Sequence, residues 1–281
     1  MSMVAITSAR RSSASAVVHV VLGLIALAFL APLLWLVTAA FDADAPLSAG
    51  VPSSFTLDNF TQVLNWETSL RPLWNGLLMC GGAALLAVAA AVLCAYPLSR
   101  YQLRFKRPFL YTVLFATGLP MTAVMVPVYS MFVQFSLIDS MFGTTLFLAS
   151  SSLPIAIWMT KNFMDGVPIS LEEAAWVDGA SGMQALRSVV LPLVVPGMSV
   201  VAIFTFITSW GNFFVPFVLL LDPAKQPAAV GVYTFFGQGG LIAYGQLAAY
   251  SILYTAPVIL LYLVVSRSLG GAFALAGAIK H

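Results

Sequence analysis

The chain has 281 residues, of which 60% are hydrophobic and 8% charged, with a formal net charge of +2 and a mean hydropathy of +0.97. Soluble domains carry about 25% charged residues, so this composition excludes a soluble globular protein and places the chain in a bilayer. The charge is spread over the two sides of a membrane and carries no signal for nucleic acid.

Stretches without charge that reach the ~20 residues needed to cross a ~30 Å hydrocarbon layer predict six transmembrane helices in a single all-α membrane domain spanning 1–281. They lie at about 16–41, 73–99, 109–135, 141–160, 194–221 and 246–266. The first follows Arg10 and Arg11 and precedes Ala43-Asp44-Ala45, as a cleavable signal would. Its apolar stretch, about 14–40, is longer than the ~7–15 residues of a signal core, which predicts a retained helix. Cys80 and Cys94 both fall in the second span, ~21 Å apart along a helix, too far to bridge.

The segment 168–192, PISLEEAAWVDGASGMQALRSVVLP, is a polar interruption between the fourth and fifth spans. Ser170 with Glu173 has capping-box spacing and predicts a helix beginning near Leu171, ended by Gly179 at the C′ position. Ser181 with Gln184 repeats the spacing and starts a second helix, which Pro192 is expected to kink or end. Leu171 and Val177 supply an apolar stripe, while Glu172, Glu173 and Asp178 supply charge. Read from capping and periodicity, the hairpin is either a solvated amphipathic loop or a surface that docks in a partner's groove. Beyond the fifth span, the glycine-rich run Phe235–Gln246 is a flexible external connector that precedes the last helix.

Orientation follows from the cations. With the N-terminus inside, Arg10, Arg11, Arg100, Arg104, Lys106, Arg107, Lys161, Arg187, Arg267 and Lys280 are cytoplasmic, and only Arg71 and Lys225 are external. Both termini, the basic loop 100–107 and the hairpin are therefore expected on the cytoplasmic side. All the carboxylates lie in loops or at span ends, which argues against ion-coupled secondary transport. Two histidines far apart, His19 and His281, offer no metal cluster or catalytic base. There is no G-x-x-x-x-G-K-[ST] phosphate loop, so the chain is not expected to bind ATP or to act as an enzyme by itself. Polar and aromatic groups at membrane depth, Asn75, Tyr129, Gln134, Ser209, Trp210 and Asn212, are candidates for a solute path. The same residue types also tie helices together or anchor span ends.

At the hairpin the residues become recognisable. Glu173-Ala174-Ala175, three residues, Gly179, nine residues, Val189, then Leu191-Pro192 resembles the EAA signature of ABC-importer permeases, with Val189 where isoleucine is usual. Smaller matches follow in order along the chain. They are PSSFTLDNFTQVL at 52–64, Asn75, CAYPLSRYQLRFKRP at 94–108, Pro120, Pro127, Leu137–Ser140, Ser209–Asn212 with Pro216, and the tail 269–280. Together they are similar to the carbohydrate-uptake branch. Departures are Gly76 where serine often follows the asparagine, Ser136 where glycine is common, and Lys280-His281 at the end.

The resemblance implies the type I ABC importer fold and a prokaryotic plasma-membrane subunit without a cofactor of its own. It implies a second permease, expected to be a distinct chain, two ATPase subunits that bind ATP and Mg²⁺, and an extracytoplasmic binding protein. Glu172, Glu173, Ala174, Ala175, Asp178, Gly179, Leu191 and Pro192 would form the coupling helix hairpin seated on the ATPase. The external run, with Gly237, Gln238, Gly239, Gly240 and Tyr244, would reach into the binding protein. A sugar or oligosaccharide is the implied solute; glycerophosphodiester and polyamine importers share the hairpin and remain alternatives.

Overall fold

The computed structural model describes residues 3–46, 50, 52, 54–235 and 243–278; of the terminal helical segments 3–17 and 268–278 only the backbone is described. Helices account for almost all of it. In chain order they are α1 (Met3–Ala40), α2 (Asp58–Val63), a π turn (Trp66–Leu70) that runs into α3 (Arg71–Arg100), α4 (Lys106–Ala116), α5 (Met121–Gln134), α6 (Met141–Asp165), α7 (Ile169–Val177), α8 (Gly182–Ala185), a second π turn (Leu186–Val190), α9 (Leu191–Trp210), α10 (Phe214–Leu219), α11 (Ala228–Gly231), a 3₁₀ turn (Val232–Phe235) and α12 (Tyr244–Ala278).

The described residues fall into two compact units, one drawn from 1–65 and 234–253 and the other from 66–233 and 254–281. In the first, the chain leaving α1 folds back through a single bridge between Asp42 and Phe55. The buried Asn59 amide closes that turn, donating to the carbonyls of Asp42 at 2.8 Å and Ala40 at 3.2 Å. Phe41 stacks on Phe55. Ala39 and Ala40 pack against Ala248 and Ala249 of α12. The apolar side chains of α1 from Val18 to Leu34 are exposed within the chain, which is tolerable for a 23-residue span surrounded by hydrocarbon.

The second unit is built on α3, α6 and α9, which pack on one another. Ala83, Ala87, Ala91 and Ala95 recur every fourth residue on α3 and are fully buried. Small side chains at that spacing line one face of a helix and let a neighbouring backbone come close, the usual basis of helix association in lipid. A similar approach occurs where Gly197 of α9 meets Phe163 of α6: a β-carbon there would lie 2.3 Å from the ring.

Three expectations are corrected. The third predicted span, 109–135, is two helices, α4 and α5, bent by 96°. Pro120 has no amide to continue a helix and sits extended at ψ 125°, and its ring disfavours a helical conformation at Leu119. The fifth span starts earlier than 194, because Pro192 neither ends nor divides the helix. Residues Gly182–Trp210 form one continuous run, and the π turn immediately before Pro192 takes up its missing donor. It also stops at Trp210 rather than 221, and α10 follows as a separate short helix. Among the described residues, five unbroken apolar helices plus the bent pair make the six predicted spans.

Candidate functional site

The hairpin connecting α6 to α9 is α7, a tight turn and α8. Its first cap differs from expectation. α7 begins at Ile169 after Pro168, and no side chain caps it, so Ser170 and Glu173 are both inside the helix and form no capping box. Pro168 fixes the entry by its own backbone, at φ −57° and ψ 131°. The C-terminal end is as expected. Gly179 adopts φ +87°, its N–H donates to the Trp176 carbonyl, and the Ala180 N–H donates to the Ala175 carbonyl at 2.9 Å. This is the Schellman pair of bonds. The second cap also holds: the Ser181 hydroxyl accepts from the Gln184 N–H while the Gln184 side chain accepts from the Ser181 N–H.

The two adjacent glutamates have opposite fates. Glu172 is 0% exposed and forms an ion pair with Arg100 at the end of α3. The Tyr96 hydroxyl donates to its other oxygen at 2.9 Å. Arg100 also donates to the Val167 carbonyl at 3.2 Å, reaching the loop that leads into α7. Nearby, the Ser99 hydroxyl donates to Asp165 at 2.6 Å, and Lys161 pairs with the same carboxylate. The end of α3 is thereby fastened to both sides of the α6–α7 connection. Glu173, Ala174, Asp178 and Gly179 are exposed, and Ala175 is half-buried. Around them Ile169, Leu171, Trp176, Met183 and Val177, the last 88% exposed, leave an apolar surface uncovered. Leu191 is half-buried and Pro192 exposed, a turn beyond the hairpin.

The membrane-depth candidates separate into two groups. Ser209, Trp210 and Asn212 come together at the end of α9. Trp210 is buried, its indole N–H donates to the Tyr254 carbonyl at 3.1 Å, and the Tyr254 hydroxyl donates to the Trp210 carbonyl at 2.6 Å, with the rings stacked 5.5 Å apart. The Asn212 side chain accepts from the Val215 N–H in the first turn of α10 at 3.0 Å. A crevice of about 190 Å³ opens beside them, walled by Met121, Leu148, Ile155 and Phe204 and carrying Ser151, Ser152, Thr208, Ser209 and Asn212 as its polar groups. The buried Ser209 hydroxyl has no hydrogen-bond partner among the described residues. Asn75 lies elsewhere: its amide donates to the carbonyls of Ala224 at 2.9 Å and Gln226 at 3.2 Å, holding the loop between α10 and α11. Tyr129 and Gln134 on α5 are exposed and do not line the crevice. Gly237, Gln238, Gly239 and Gly240 lie outside the described residues, and Tyr244 is the half-buried first residue of α12.

Sequence reading missed Tyr96 and Arg100 as parts of the hairpin's support, and Ser151, Ser152 and Thr208 as crevice lining. Arg100 is the first charge after a long apolar helix, the place of an ordinary topology anchor. Its partner lies 72 positions away, and no local pattern points to it. A tyrosine one turn before that arginine is the only trace in the sequence.

Residues 83–270 match the family model of the binding-protein-dependent transport system inner membrane component. The diacetylchitobiose uptake system permease protein NgcG of Streptomyces coelicolor is 27% identical over 262 residues, covering 92% of this chain and 87% of that protein. The trehalose transport system permease protein SugB of Mycobacterium tuberculosis is 28% identical over 254 residues, covering 89% and 91%. Among solved structures, a chain of a bacterial ABC transporter involved in the import of the acidic polysaccharide alginate superposes with a TM-score of 0.78 over 90% of this chain and 95% of that one, at 22% identity.

Proposed function

The chain belongs to the binding-protein-dependent transport system inner membrane components, and from that membership we propose that it is the permease subunit of an ATP-driven importer for a neutral sugar or oligosaccharide. The observation that carries the substrate class is the crevice beside α9. Its polar groups are three serines, a threonine and an asparagine, with no acid or base. Hydroxyl and amide groups exchange hydrogen bonds with sugar hydroxyls, whereas a polyamine calls for carboxylates and a phosphodiester for cations. Curated relatives named for diacetylchitobiose and trehalose support the same class.

The energy source lies in other subunits. Two ATPase subunits would bind ATP and Mg²⁺, this chain would hold no nucleotide, and the assembled complex would hydrolyse ATP. The exposed face of α7 is the docking surface: Glu173 offers a charge to a donor on the ATPase, Ala174 and Ala175 allow close approach, and Leu171, Trp176 and Val177 supply apolar contact. Glu172 acts inward, because its buried pair with Arg100 carries a displacement of the hairpin into α3. A second, distinct permease would complete the pathway, and an extracytoplasmic binding protein would deliver the solute to the external side. Both termini and the hairpin would be cytoplasmic, in the plasma membrane of a prokaryote.

The test is ATP hydrolysis by the complex of this chain with its ATPase, second permease and binding protein in nanodiscs, against a panel of saccharides, polyamines and glycerophosphodiesters. Stimulation by one saccharide-loaded binding protein is expected. Stimulation by a polyamine or a phosphodiester alone would overturn the sugar assignment, and failure to associate with any ATPase would overturn the importer reading.

A further inference from the structure

A second cavity of the molecule is unrelated to the solute crevice. At the end of α3 that carries Arg100, a groove of about 390 Å³ is walled by Leu98, Leu103, Phe105 and Phe109 and edged by Arg104 and Lys106. Phe105 is 71% exposed, and Leu103 and Phe109 are also open. The apolar wall is of the kind that water covers at a cost of about 25 cal/mol per Å². The two cations on its edge enter none of the ion pairs formed among the described residues. Asp165, whose charge reaches Lys106, is already held by Lys161 and Ser99. Lys106 and Arg107 also open α4, which has no acidic residue in its first turn and no side-chain cap. Lys106 and Arg107 therefore stand at the positive end of a helix dipole, where an additional anion is favourable.

We propose that this groove binds one anionic phospholipid of the cytoplasmic leaflet, its acyl chain against Leu98, Phe105 and Phe109 and its phosphate at Arg104 and Lys106. The groove asks for an amphiphile with hydrocarbon at one end and negative charge at the other. It also lies at the end of a membrane span, where that molecule is the solvent. A free phosphate would satisfy the cations and leave the apolar wall uncovered. A zwitterionic lipid would bring its own cation to a site that already has two. Basic pockets beside spans on the cytoplasmic side commonly hold acidic headgroups, with each Lys or Arg contributing about 1 kcal/mol.

The experiment is native mass spectrometry of the full importer complex, delipidated and then titrated with phosphatidylglycerol or phosphatidylcholine. The expected result is one phosphatidylglycerol retained in preference to phosphatidylcholine and held roughly thirtyfold more weakly by Arg104→Gln/Lys106→Gln. Cys94→Trp, which fills the groove from its half-buried wall, is expected to remove the same lipid while both cations stay in place. Equal retention of the two lipids, or retention unchanged in either variant, would overturn the proposal. Displacement of the lipid by millimolar inorganic phosphate would do so too, by assigning the cations to a free anion. So would maleimide protection of Cys94 in the lipid-free complex, by assigning the groove to a neighbouring subunit.

Discussion

Glu172 and Arg100 form a fully buried ion pair that binds the EAA hairpin to the end of α3, with the Tyr96 hydroxyl completing the carboxylate's hydrogen bonds. Removing one member of such a pair leaves an uncompensated charge and costs about 3–5 kcal/mol. Glu172→Ala is expected to lower the melting temperature of the purified complex and to reduce uptake more than tenfold, while the ATPase subunits keep their basal hydrolysis. Arg100→Met/Glu172→Met should recover most of the lost stability, because neither charge is then stranded. A double variant as unstable as the single one would show that the pair is not the tie.

Gly179 is required by its backbone and not by space. It sits at φ +87°, and a β-carbon added to it would meet nothing within 4 Å. Gly179→Val puts a β-branched residue in the left-handed region, at a cost of about 1–2 kcal/mol, and is expected to abolish transport with membrane insertion intact. Gly179→Asn, which tolerates that region, should retain much more uptake. Equal loss in the two variants would assign the glycine to close contact with the ATPase instead.

The clasp between Asp139 and Lys225 gives a signed pH prediction. Asp139 accepts from Lys225 at 2.7 Å and from the N–H groups of Asp222 and Leu221. Lys225, first, and the backbone donors hold its carboxyl below the usual 3.8, while Asp139 holds the Lys225 ammonium above 10.5. The aspartate's contribution is present above 3.8 and fades as pH falls through its lowered value; the lysine's is present below 10.5 and fades as pH rises through its raised value. The hydrogen-exchange protection factors of the 221–226 loop, with the intrinsic base-catalysed rate divided out, should therefore be flat between about pH 5 and 9, and Asp139→Asn should lower them throughout that range. A step inside the range in the unaltered protein would contradict the clasp.

Ser209→Ala separates a substrate role from a structural one. The hydroxyl is buried without a partner among the described residues, so its removal should leave the melting temperature unchanged or slightly higher. If the crevice carries sugar, KM for uptake should rise about fivefold to tenfold, the loss of one hydrogen bond of about 1–1.5 kcal/mol. An unchanged KM would place the path elsewhere.

Ser136 lies at φ +56°, a left-handed conformation that glycine adopts without the strain a β-carbon brings. Ser136→Gly is expected to stabilise the turn before α6 by about 0.5–1 kcal/mol, read as a raised melting temperature without change in uptake.

Much of the fold was legible in the sequence because lipid simplifies the problem: apolar length counts the spans. The Gly179 turn and the Ser181–Gln184 cap were legible for a local reason, since each is made within a few residues. The broken third span was harder to see, as its composition is that of an unbroken one and only Pro120 divides it. Pro192 misled in the opposite direction, because a π turn one residue earlier absorbs its missing donor. Nothing in the sequence distinguishes Glu172 from Glu173; the inward and outward roles follow from helix phase against α3, a tertiary property. The crevice hydroxyls of Ser151 and Ser152 were hidden among the many serines that merely bond their own helix.

The alanine ladder of α3 has a mechanical meaning. A methyl group has no rotamer to exchange, so the seam from Ala83 to Ala95, ~18 Å long, has no second way to pack. Larger side chains would let neighbouring helices slip by re-sorting their torsions; here slippage would open a void at every rung. In the proposed coupling, a push received at Arg100 would travel along α3 as through a stiff rod.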